Sequence, residues 1–226
     1  MKYTKRKWNE QYYHGWKNRY PFTEVVSFII RNYGEEKDRN NIRILDLGCG
    51  AAHHLLFLAK EGFDYYGVDG SSKAIEIAKE RLEKEKYNSK RLSVATLDNL
   101  PYENDFFDAI IDRGSLVCNR KKDIIIIIKE VKRIMKKSGL LYSMMLHEDS
   151  TIRKQAATSL GESDYANFEG RLNGANILHF TNLNDTKELY NELEIQNIEI
   201  QRTESIYGKL QSKDITVWSN ILCKKS

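Results

Sequence analysis

Apolar and polar positions repeat with two different periods along the middle of the chain, and each period predicts a different kind of element. Short apolar runs predict strands at residues 42–47, 64–68, 91–95, 106–111 and 140–146. Helical spacing predicts helices at residues 51–61, 71–84 and 122–136. Strands that alternate with helices in this order predict a parallel sheet with right-handed crossovers.

The third of these helices contains five consecutive isoleucines at residues 124–128. β-Branched residues favour a strand, so this run has two interpretations. The charged residues on both sides continue a helical pattern through the run, and we therefore predict a helix.

Three further segments lie outside this alternation. A helix is predicted from Pro21 to the glycine at position 34, because proline is favoured in the first turn. Residues 147–178 are polar and non-periodic, which indicates an insertion at the edge of the sheet. A helix at 184–192 precedes strands at 195–202 and 215–223. Since no helix fits comfortably between these two strands, we predict an antiparallel hairpin.

A glycine turn follows the first strand. Gly48 and Gly50 allow backbone angles that are closed to other residues, and the helix that starts at Ala51 adds unpaired N–H groups. Such turns also occur in loops that bind nothing. Here Asp46 precedes the turn, and Asp69 ends the second strand 23 residues later, where an acid can bind ribose hydroxyls. The pattern therefore predicts a cofactor that contains a nucleoside.

The residues around the turn favour one nucleoside cofactor over another. A dinucleotide site requires a third glycine where this chain has His53, so NAD fits the pattern weakly. A carboxylate at Asp46 suits a cationic amino group such as that of S-adenosylmethionine.

The segment ILDLGCGAAHHLLFLAKEGFDYYGVDGSSKAIEIAKERL resembles the cofactor half of class I S-adenosylmethionine-dependent methyltransferases. The family pattern places a third glycine where this chain has Ala52, a mild departure that affects local packing. The resemblance is strong over residues 40–146 and weak over 179–224. It implies an α/β fold: a Rossmann-like three-layer sandwich with a seven-stranded, mostly parallel sheet and an antiparallel last strand. It also implies S-adenosyl-L-methionine as cofactor and S-adenosyl-L-homocysteine as product.

The resemblance also implies roles for individual residues. Asp46 would face the methionine amino group, directly or through water, and Asp69 would bind the ribose, although a helix-capping role is an alternative. Asp98 would contact the adenine amino group, or else be a turn residue. The full set of expected cofactor residues is Asp46, Gly48, Cys49, Gly50, Asp69, Gly70, Ser71, Leu97, Asp98, Asn99, Leu100, Asp112 and Arg113.

The sequence indicates the binding site of the methyl acceptor less clearly than that of the cofactor. Asp112 and Arg113 follow the fourth strand and would lie beside the methyl group, although an ion pair without chemistry is an equal alternative. His147 follows the fifth strand and is the candidate base, because histidine titrates near neutral pH. His53 and His54 are expected to be packing or cofactor-shell residues. The expected substrate-binding residues are Tyr13, Trp16, Tyr20 and His147.

The basic and aromatic residues at positions 1–20, His14 among them, have three interpretations. They can bind single-stranded nucleic acid, pack on the body as an amphipathic helix, or form a lid over the cofactor. The family resemblance favours the lid, in which Tyr12 joins Tyr13, Trp16 and Tyr20 as candidates for an aromatic cage near the sulfonium.

Composition narrows the class of protein. The chain has 226 residues, 41% hydrophobic and 30% charged, which predicts one soluble domain over residues 1–226. Within it we expect a helical cap (1–40), a cofactor core (41–146), a substrate-side insertion (147–178) and a C-terminal part (179–226). No apolar run approaches the ~20 residues of a membrane span. No secretory signal is seen at the start, so we expect a cytoplasmic protein.

Net charge and cysteine spacing argue against a nucleic-acid partner and a metal site. A net charge of +4 is too small for a dedicated nucleic-acid binder. The three cysteines, at positions 49, 118 and 223, have neither zinc-site nor disulfide spacing, so we predict no metal. Both a monomer and a homodimer remain open.

These observations predict methyl transfer to an oxygen or nitrogen of a polar small molecule, such as a sugar, amine or carboxylate. The segment after strand four lacks the Asn/Asp-Pro-Pro-aromatic motif of adenine-N6 enzymes, and Cys118 follows valine rather than the proline of cytosine-C5 enzymes. An RNA or protein substrate, a catalytically silent binding protein and an NAD-dependent oxidoreductase are the alternatives.

Overall fold

The computed structural model describes residues 2–13, 18–168, 176–204 and 215–226. Its helices are α1 (Lys2–Tyr13), α2 (Thr23–Tyr33), α3 (His53–Lys60), α4 (Ser72–Lys84), α5 (Lys121–Ile134) and α6 (Leu183–Leu189). Its strands are β1 (Arg43–Leu47), β2 (Asp64–Asp69), β3 (Leu92–Val94), β4 (Phe107–Arg113), β5 (Met135–His147), β6 (Ala156–Gly161), β7 (Asp164–Phe168), β8 (Ile177–Thr181), β9 (Glu194–Glu204) and β10 (Ile215–Lys224). Short 3₁₀ helices lie at Arg39–Asn41, Leu116–Cys118 and Thr151–Gln155.

Seven strands form the main part of the sheet, in the order β3-β2-β1-β4-β5-β10-β9. The pairs among β3, β2, β1, β4 and β5 are parallel. β10 runs antiparallel to both of its neighbours, β5 and β9. This arrangement confirms the predicted fold class, including the antiparallel last strand.

The predicted count of seven strands is too low, because the sheet contains ten described strands. β6, β7 and β8 form an antiparallel meander, and β8 pairs with the end of β5 at Leu146 and His147. β4 ends at Arg113, opposite Met144, so β8 extends the sheet along the edge of β5 that β4 leaves free. The sequence pattern did not predict β6 and β7, because most residues of β6 are exposed and carry no apolar alternation.

Two apolar clusters separate three layers. On one face, α2, α3 and α4 cover the sheet through residues such as Ile29, Leu55 and Leu82. On the other face, α5 and α6 cover it through residues such as Ile127 and Leu189. The layers agree with the predicted three-layer sandwich, whereas the division of residues 1–226 into a cap, a core and an insertion stays a prediction.

The isoleucine run is helical, as predicted. Ile124, Ile127 and Ile128 are fully buried, at the spacing of one helix face, whereas Ile126 is 53% exposed. Burial of a helical stripe outweighs the strand preference of the individual residues. Among the described residues, no helix combines the length and apolar character needed to cross a membrane.

Candidate cofactor site

A cavity of about 250 Å³ lies beyond the carboxyl ends of β1, β2 and β4. Open parallel sheets bind ligands at this edge, where neighbouring crossovers leave a crevice. The cavity is lined by Trp8, Tyr12, Asn18, Phe22, Asp46, Gly48, Gly50, Ala51, His53, His54, Asp69, Gly70, Ala95, Thr96, Leu97, Arg113, Gly114, Ser115, Cys118, Asn119 and Trp218. Of the thirteen residues expected from the sequence to bind the cofactor, seven are in this lining.

The glycine turn forms the floor of the cavity. The N–H groups of Gly48 and Cys49 both donate to the carbonyl of Val68, which ties the turn to the end of β2. Gly48 has φ +77°, and a Cβ there would collide with the hydroxyl of Ser115. A Cβ on Gly50 would collide with the hydroxyl of Tyr12. Only glycine therefore fits at these two positions.

Ala52 is the position at which the family pattern has its third glycine. Its φ is +66°, in the left-handed region, and its side chain is fully buried. An alanine in this conformation costs about 1–2 kcal/mol relative to an unstrained one. Ala52 thus adopts a backbone conformation that glycine takes more readily.

Asp46 contacts a residue whose role the sequence left open. The Nδ1 atom of His54 lies 3.2 and 3.3 Å from the two carboxylate oxygens of Asp46. Both side chains are buried, yet both line the cavity. Asp46 is therefore already bonded to the first turn of α3, and the expectation that it faces a methionine amino group stays a prediction.

Asp69 presents its carboxylate to the cavity and organises the backbone around it. One oxygen accepts the N–H of Gly50 at 3.0 Å, and the other accepts the N–H of Ser71 at 2.7 Å. Burial raises the pKa of Asp69 to about 6; the two backbone N–H groups lower it, and Asp46 raises it. Each oxygen retains acceptor capacity, so the group can bind two further hydroxyls.

Ser71 and Cys49 support the site without lining it. Ser71 caps α4, since its hydroxyl accepts the N–H of Ala74 at 3.0 Å. The same hydroxyl donates to the amide oxygen of Asn9 at 2.6 Å, which fastens α1 to the start of α4. Cys49 is fully buried beneath the turn, and burial raises the pKa of its thiol well above the usual value. Gly70, directly after Asp69, does line the cavity.

The segment after β3 differs from the sequence expectation. Ala95, Thr96 and Leu97 line the cavity, whereas Asp98 and Asn99 lie outside its lining and are exposed. Leu100 is buried in the core and donates its N–H to Glu130 at 2.8 Å. The strand ends at Val94, one residue earlier than predicted, and the first three residues after it are the ones that line the cavity.

Asp112 and Arg113 have different positions. Asp112 is fully buried below the site and accepts bonds from the N–H groups of Ser115 and Leu116 and from the hydroxyl of Ser143. Burial raises its pKa to about 6, although these three bonds lower it. The two side chains form no ion pair with each other in the described structure. Asp112 therefore orders the loop after β4. Of the two residues, only Arg113 lines the cavity.

The expected acceptor residues are not gathered at the cavity. His147 is half-buried, accepts the N–H of Asp149 at 3.2 Å and is outside the lining. Tyr13 and Tyr20 are 70% and 72% exposed and are also outside it. Trp16 and His14 lie outside the described residues. Other aromatic residues line the cavity instead: Trp8, Tyr12, Phe22 and Trp218.

Two adjacent histidines also line the cavity. The rings of His53 and His54 are 4.0 Å apart, and Phe22 packs edge-on against His53 at 5.5 Å. Burial, and to a smaller extent the neighbouring His54, lower the pKa of His53 to about 3. Within the described residues, the Nε2 atoms of both rings are buried without a hydrogen-bond partner. Their position after the glycine turn was the only sequence signal for this pair.

One arginine ties the outer wall of the site together. The guanidinium of Arg81, on α4, donates to the carbonyls of Asn18, Arg19 and Ala51. Asn18 and Ala51 are both lining residues. Within the described ranges, no group of three or more His, Cys, Asp or Glu side chains has a metal-binding arrangement.

Comparison with known proteins agrees with this geometry. A family model described as a methyltransferase domain matches residues 38–206, more than half of the chain. The chain is 25% identical over 161 residues to the uncharacterized methyltransferase YcgJ of Bacillus subtilis, covering 70% of this chain and 59% of that protein. It is 30% identical over 124 residues to a ubiquinone biosynthesis O-methyltransferase of Pelagibacter ubique, covering 55% and 49% of the two chains. The chain thus spans about half the length of the relatives that it matches.

A solved structure gives the same result. The chain is similar to a SAM-dependent methyltransferase of Methanosarcina mazei, with a TM-score of 0.69, 25% identity, and coverage of 87% of this chain and 96% of that one. This chain has the fold, the glycine turn and the acidic residues that such a cofactor site needs. It therefore belongs to the methyltransferase-domain family, in the class I group whose cofactor is S-adenosyl-L-methionine.

Proposed function

We propose that this protein transfers a methyl group from S-adenosylmethionine to an oxygen or nitrogen atom of a polar small molecule. The observation that carries the proposal is the cavity at the ends of β1 and β2, where the glycine turn, Asp46 and Asp69 meet. The relative named for O-methylation in ubiquinone biosynthesis supports a small-molecule acceptor.

Asp69 would hold the nucleoside end of the cofactor. Its oxygens accept the backbone N–H groups of Gly50 and Ser71 and still have free lone pairs, which match the two hydroxyls of a ribose. Thr96 and Leu97 would flank the base beside it. Gly48 and Gly50 would let the methionine portion approach the main chain.

When bound, S-adenosylmethionine supplies an activated methyl group on a positively charged sulfur. The chain mainly has to position the acceptor in line, which accounts for much of the rate of such displacements. A hydroxyl or ammonium acceptor must also lose a proton. His54 is suited to receive it, because Asp46 fixes its Nδ1 side and its Nε2 atom has no partner among the described residues. His147, outside the lining, is less well placed.

The shape of the site supports a small acceptor. Trp8 and Tyr12 of α1 and Trp218 of β10 line the cavity on different sides. A compact cavity bounded by aromatic rings suits a small molecule better than a polymer, which needs an open groove.

The first test is calorimetric titration of S-adenosylhomocysteine into the wild-type protein and the Asp69→Asn variant. We expect micromolar binding that is weakened by about tenfold or more in the variant, because a ribose acceptor is lost. Asp105→Asn makes the same change at the surface, where Asp105 pairs with Lys225 at 2.6 Å, and should leave the affinity unchanged.

The second test is transfer of a labelled methyl group from S-adenosylmethionine to fractionated metabolites, RNA and protein. Label in a small-molecule fraction supports the proposal. Label only in RNA or protein would contradict the acceptor class, and binding without any transfer would indicate a silent binding protein. Absence of S-adenosylhomocysteine binding, together with binding of NAD, would favour an oxidoreductase instead.

A further inference from the structure

The side chain of Arg113 is enclosed by two aromatic rings at one end of the cavity. Its guanidinium carbon lies 3.7 Å from the centre of the Phe22 ring and 4.9 Å from the Trp218 ring. The two rings come from opposite ends of the chain, just before α2 and from β10. Both rings lie within the distance of a cation–π contact, and neither offers an acceptor to the in-plane N–H groups of the guanidinium.

Arg113 forms no ion pair with any carboxylate in the described part of the chain. No described carboxylate lies within 4 Å of it, and its buried Nε atom has no hydrogen-bond partner. Burial lowers the pKa of Arg113. The charge of Glu24 has the largest opposing effect and raises the pKa. Aromatic faces stabilise the cation but cannot accept in-plane N–H bonds, so an anion is the missing partner.

The position of Arg113 favours the acceptor over the cofactor. Asp69 ends β2 and Thr96 follows β3, on one side of β1, whereas Arg113 ends β4 on the other side. Trp218 lies still farther across the sheet, on β10 beyond β5. A cofactor whose ribose is held at Asp69 and whose methionine lies over the turn thus has Arg113 beyond its reactive end.

From this arrangement we infer that Arg113 is a specificity residue that binds a carboxylate of the methyl acceptor in the plane of its guanidinium group. The inference rests on the proposed methyl transfer. A carboxylate fits better than a phosphate dianion, because Arg113 supplies a single positive charge. The neighbouring His53, whose pKa is lowered by burial, adds none. Two oxygens of one carboxylate match the fork of N–H donors.

The test uses two probes of similar shape, the anion 4-fluorobenzoate and the neutral amide 4-fluorobenzamide, followed by fluorine NMR. We expect the carboxylate to bind the wild-type protein about tenfold more tightly than the amide. The preference should be lost in Arg113→Met, which keeps a side chain of similar length without the charge, and be reduced in Arg113→Lys, which loses the fork. Arg202→Met, at an exposed position paired with Glu204, is the matched control and should keep the preference.

A second measurement separates the two possible sources of a carboxylate. S-Adenosylhomocysteine carries one and 5′-methylthioadenosine carries none, and Arg113→Met should bind both within about twofold of the wild-type affinities. A tenfold loss for S-adenosylhomocysteine alone would show that Arg113 binds the cofactor and would overturn the inference. Equal or absent binding of the two fluorinated probes to the wild type would also overturn it.

The probe titration is run with and without S-adenosylhomocysteine. Failure of the wild type to bind S-adenosylhomocysteine would remove the proposed function. A carboxylate preference that depends on Arg113 would then still be measured in the cofactor-free protein, so the two failures are distinguishable.

Discussion

The imidazole of His54 spans the carboxylate of Asp46, with Nδ1 at 3.2 and 3.3 Å from its two oxygens, and each residue is at most 2% exposed. Asp46 is the penultimate residue of β1, and His54 is in the first turn of α3. This bond therefore links the strand before the glycine turn to the helix after it. It gives the turn a rigidity that its glycines alone lack.

Replacing His54 by alanine should destabilise the protein. The buried carboxylate of Asp46 would lose its partner, and we expect the free energy of unfolding to fall by about 2–4 kcal/mol. Urea unfolding measures the loss. Asp46→Asn keeps an acceptor for Nδ1 and should cost only about 1 kcal/mol. Similar losses in the two variants would contradict the explanation that His54→Ala leaves the charge of Asp46 buried without a partner.

Binding of the adenine ring should depend on Thr96 and not on Asp98. Thr96 lines the cavity, so Thr96→Lys places a long charged side chain where the base would lie and should weaken S-adenosylhomocysteine binding by about tenfold or more. Asp98 is exposed outside the lining, and Asp98→Ala should change the affinity by less than about twofold. Calorimetry decides between them, and a larger effect of Asp98→Ala would restore the role expected from the sequence.

The bonds of Arg81 should matter more for cofactor affinity than for folding. Its guanidinium joins α4 to the carbonyls of Asn18, Arg19 and Ala51, two of which belong to cavity-lining residues. Arg81→Lys keeps the charge but cannot reach all three acceptors. We expect a loss of about tenfold in S-adenosylhomocysteine affinity. The accompanying loss in unfolding free energy should be about 1–2 kcal/mol.

The control for this change is Arg202→Lys, at an exposed position of β9. It should leave both the calorimetric affinity and the urea midpoint unchanged. A loss of stability in Arg81→Lys without any loss of affinity would show that the three bonds support the fold and not the site.

Stability should fall as the pH rises above neutrality, because of His179. Its side chain is fully buried, with Nδ1 at 2.7 Å from Asp164 and Nε2 at 2.6 Å from Asp185. Burial lowers the pKa of His179, but bonds to these two carboxylates outweigh it and raise the pKa above the usual value. A raised pKa stabilises the fold below about pH 6.5, and this stabilisation is lost as the pH passes the folded-state pKa.

We therefore expect the free energy of unfolding to decrease by about 1 kcal/mol or more on raising the pH above 6.5. Urea titrations at a series of pH values measure the slope. His179→Gln can still donate its amide N–H to one of the carboxylates and does not titrate, so the dependence should disappear in that variant. His147→Gln should retain it, and an unchanged slope in His179→Gln would contradict the prediction.

The sequence by itself determined the order of strands and helices from β1 to β5, the glycine turn and the pair Asp46 and Asp69. These features follow from local causes: hydrophobic periodicity, backbone angles that only glycine adopts readily, and acids placed at the ends of strands that a parallel sheet brings together. The antiparallel last strand was predicted because no helix fits between the last two strands, and the family resemblance implied the same ending. The segment after β3 was less well determined, since Asp98, expected from the family resemblance to contact the adenine, lies outside the cavity lining.

The tertiary structure alone decided which distant residues meet at the cavity. Phe22, Arg113 and Trp218 are separated by about a hundred residues at each step and come together only because β10 pairs with β5 and the segment before α2 packs across the sheet. Likewise, the bond between His54 and Asp46, and the position of His147 outside the cavity lining, follow from the packing of α3 and β5. Contacts of this kind depend on how whole layers pack, and no local pattern of the chain records them.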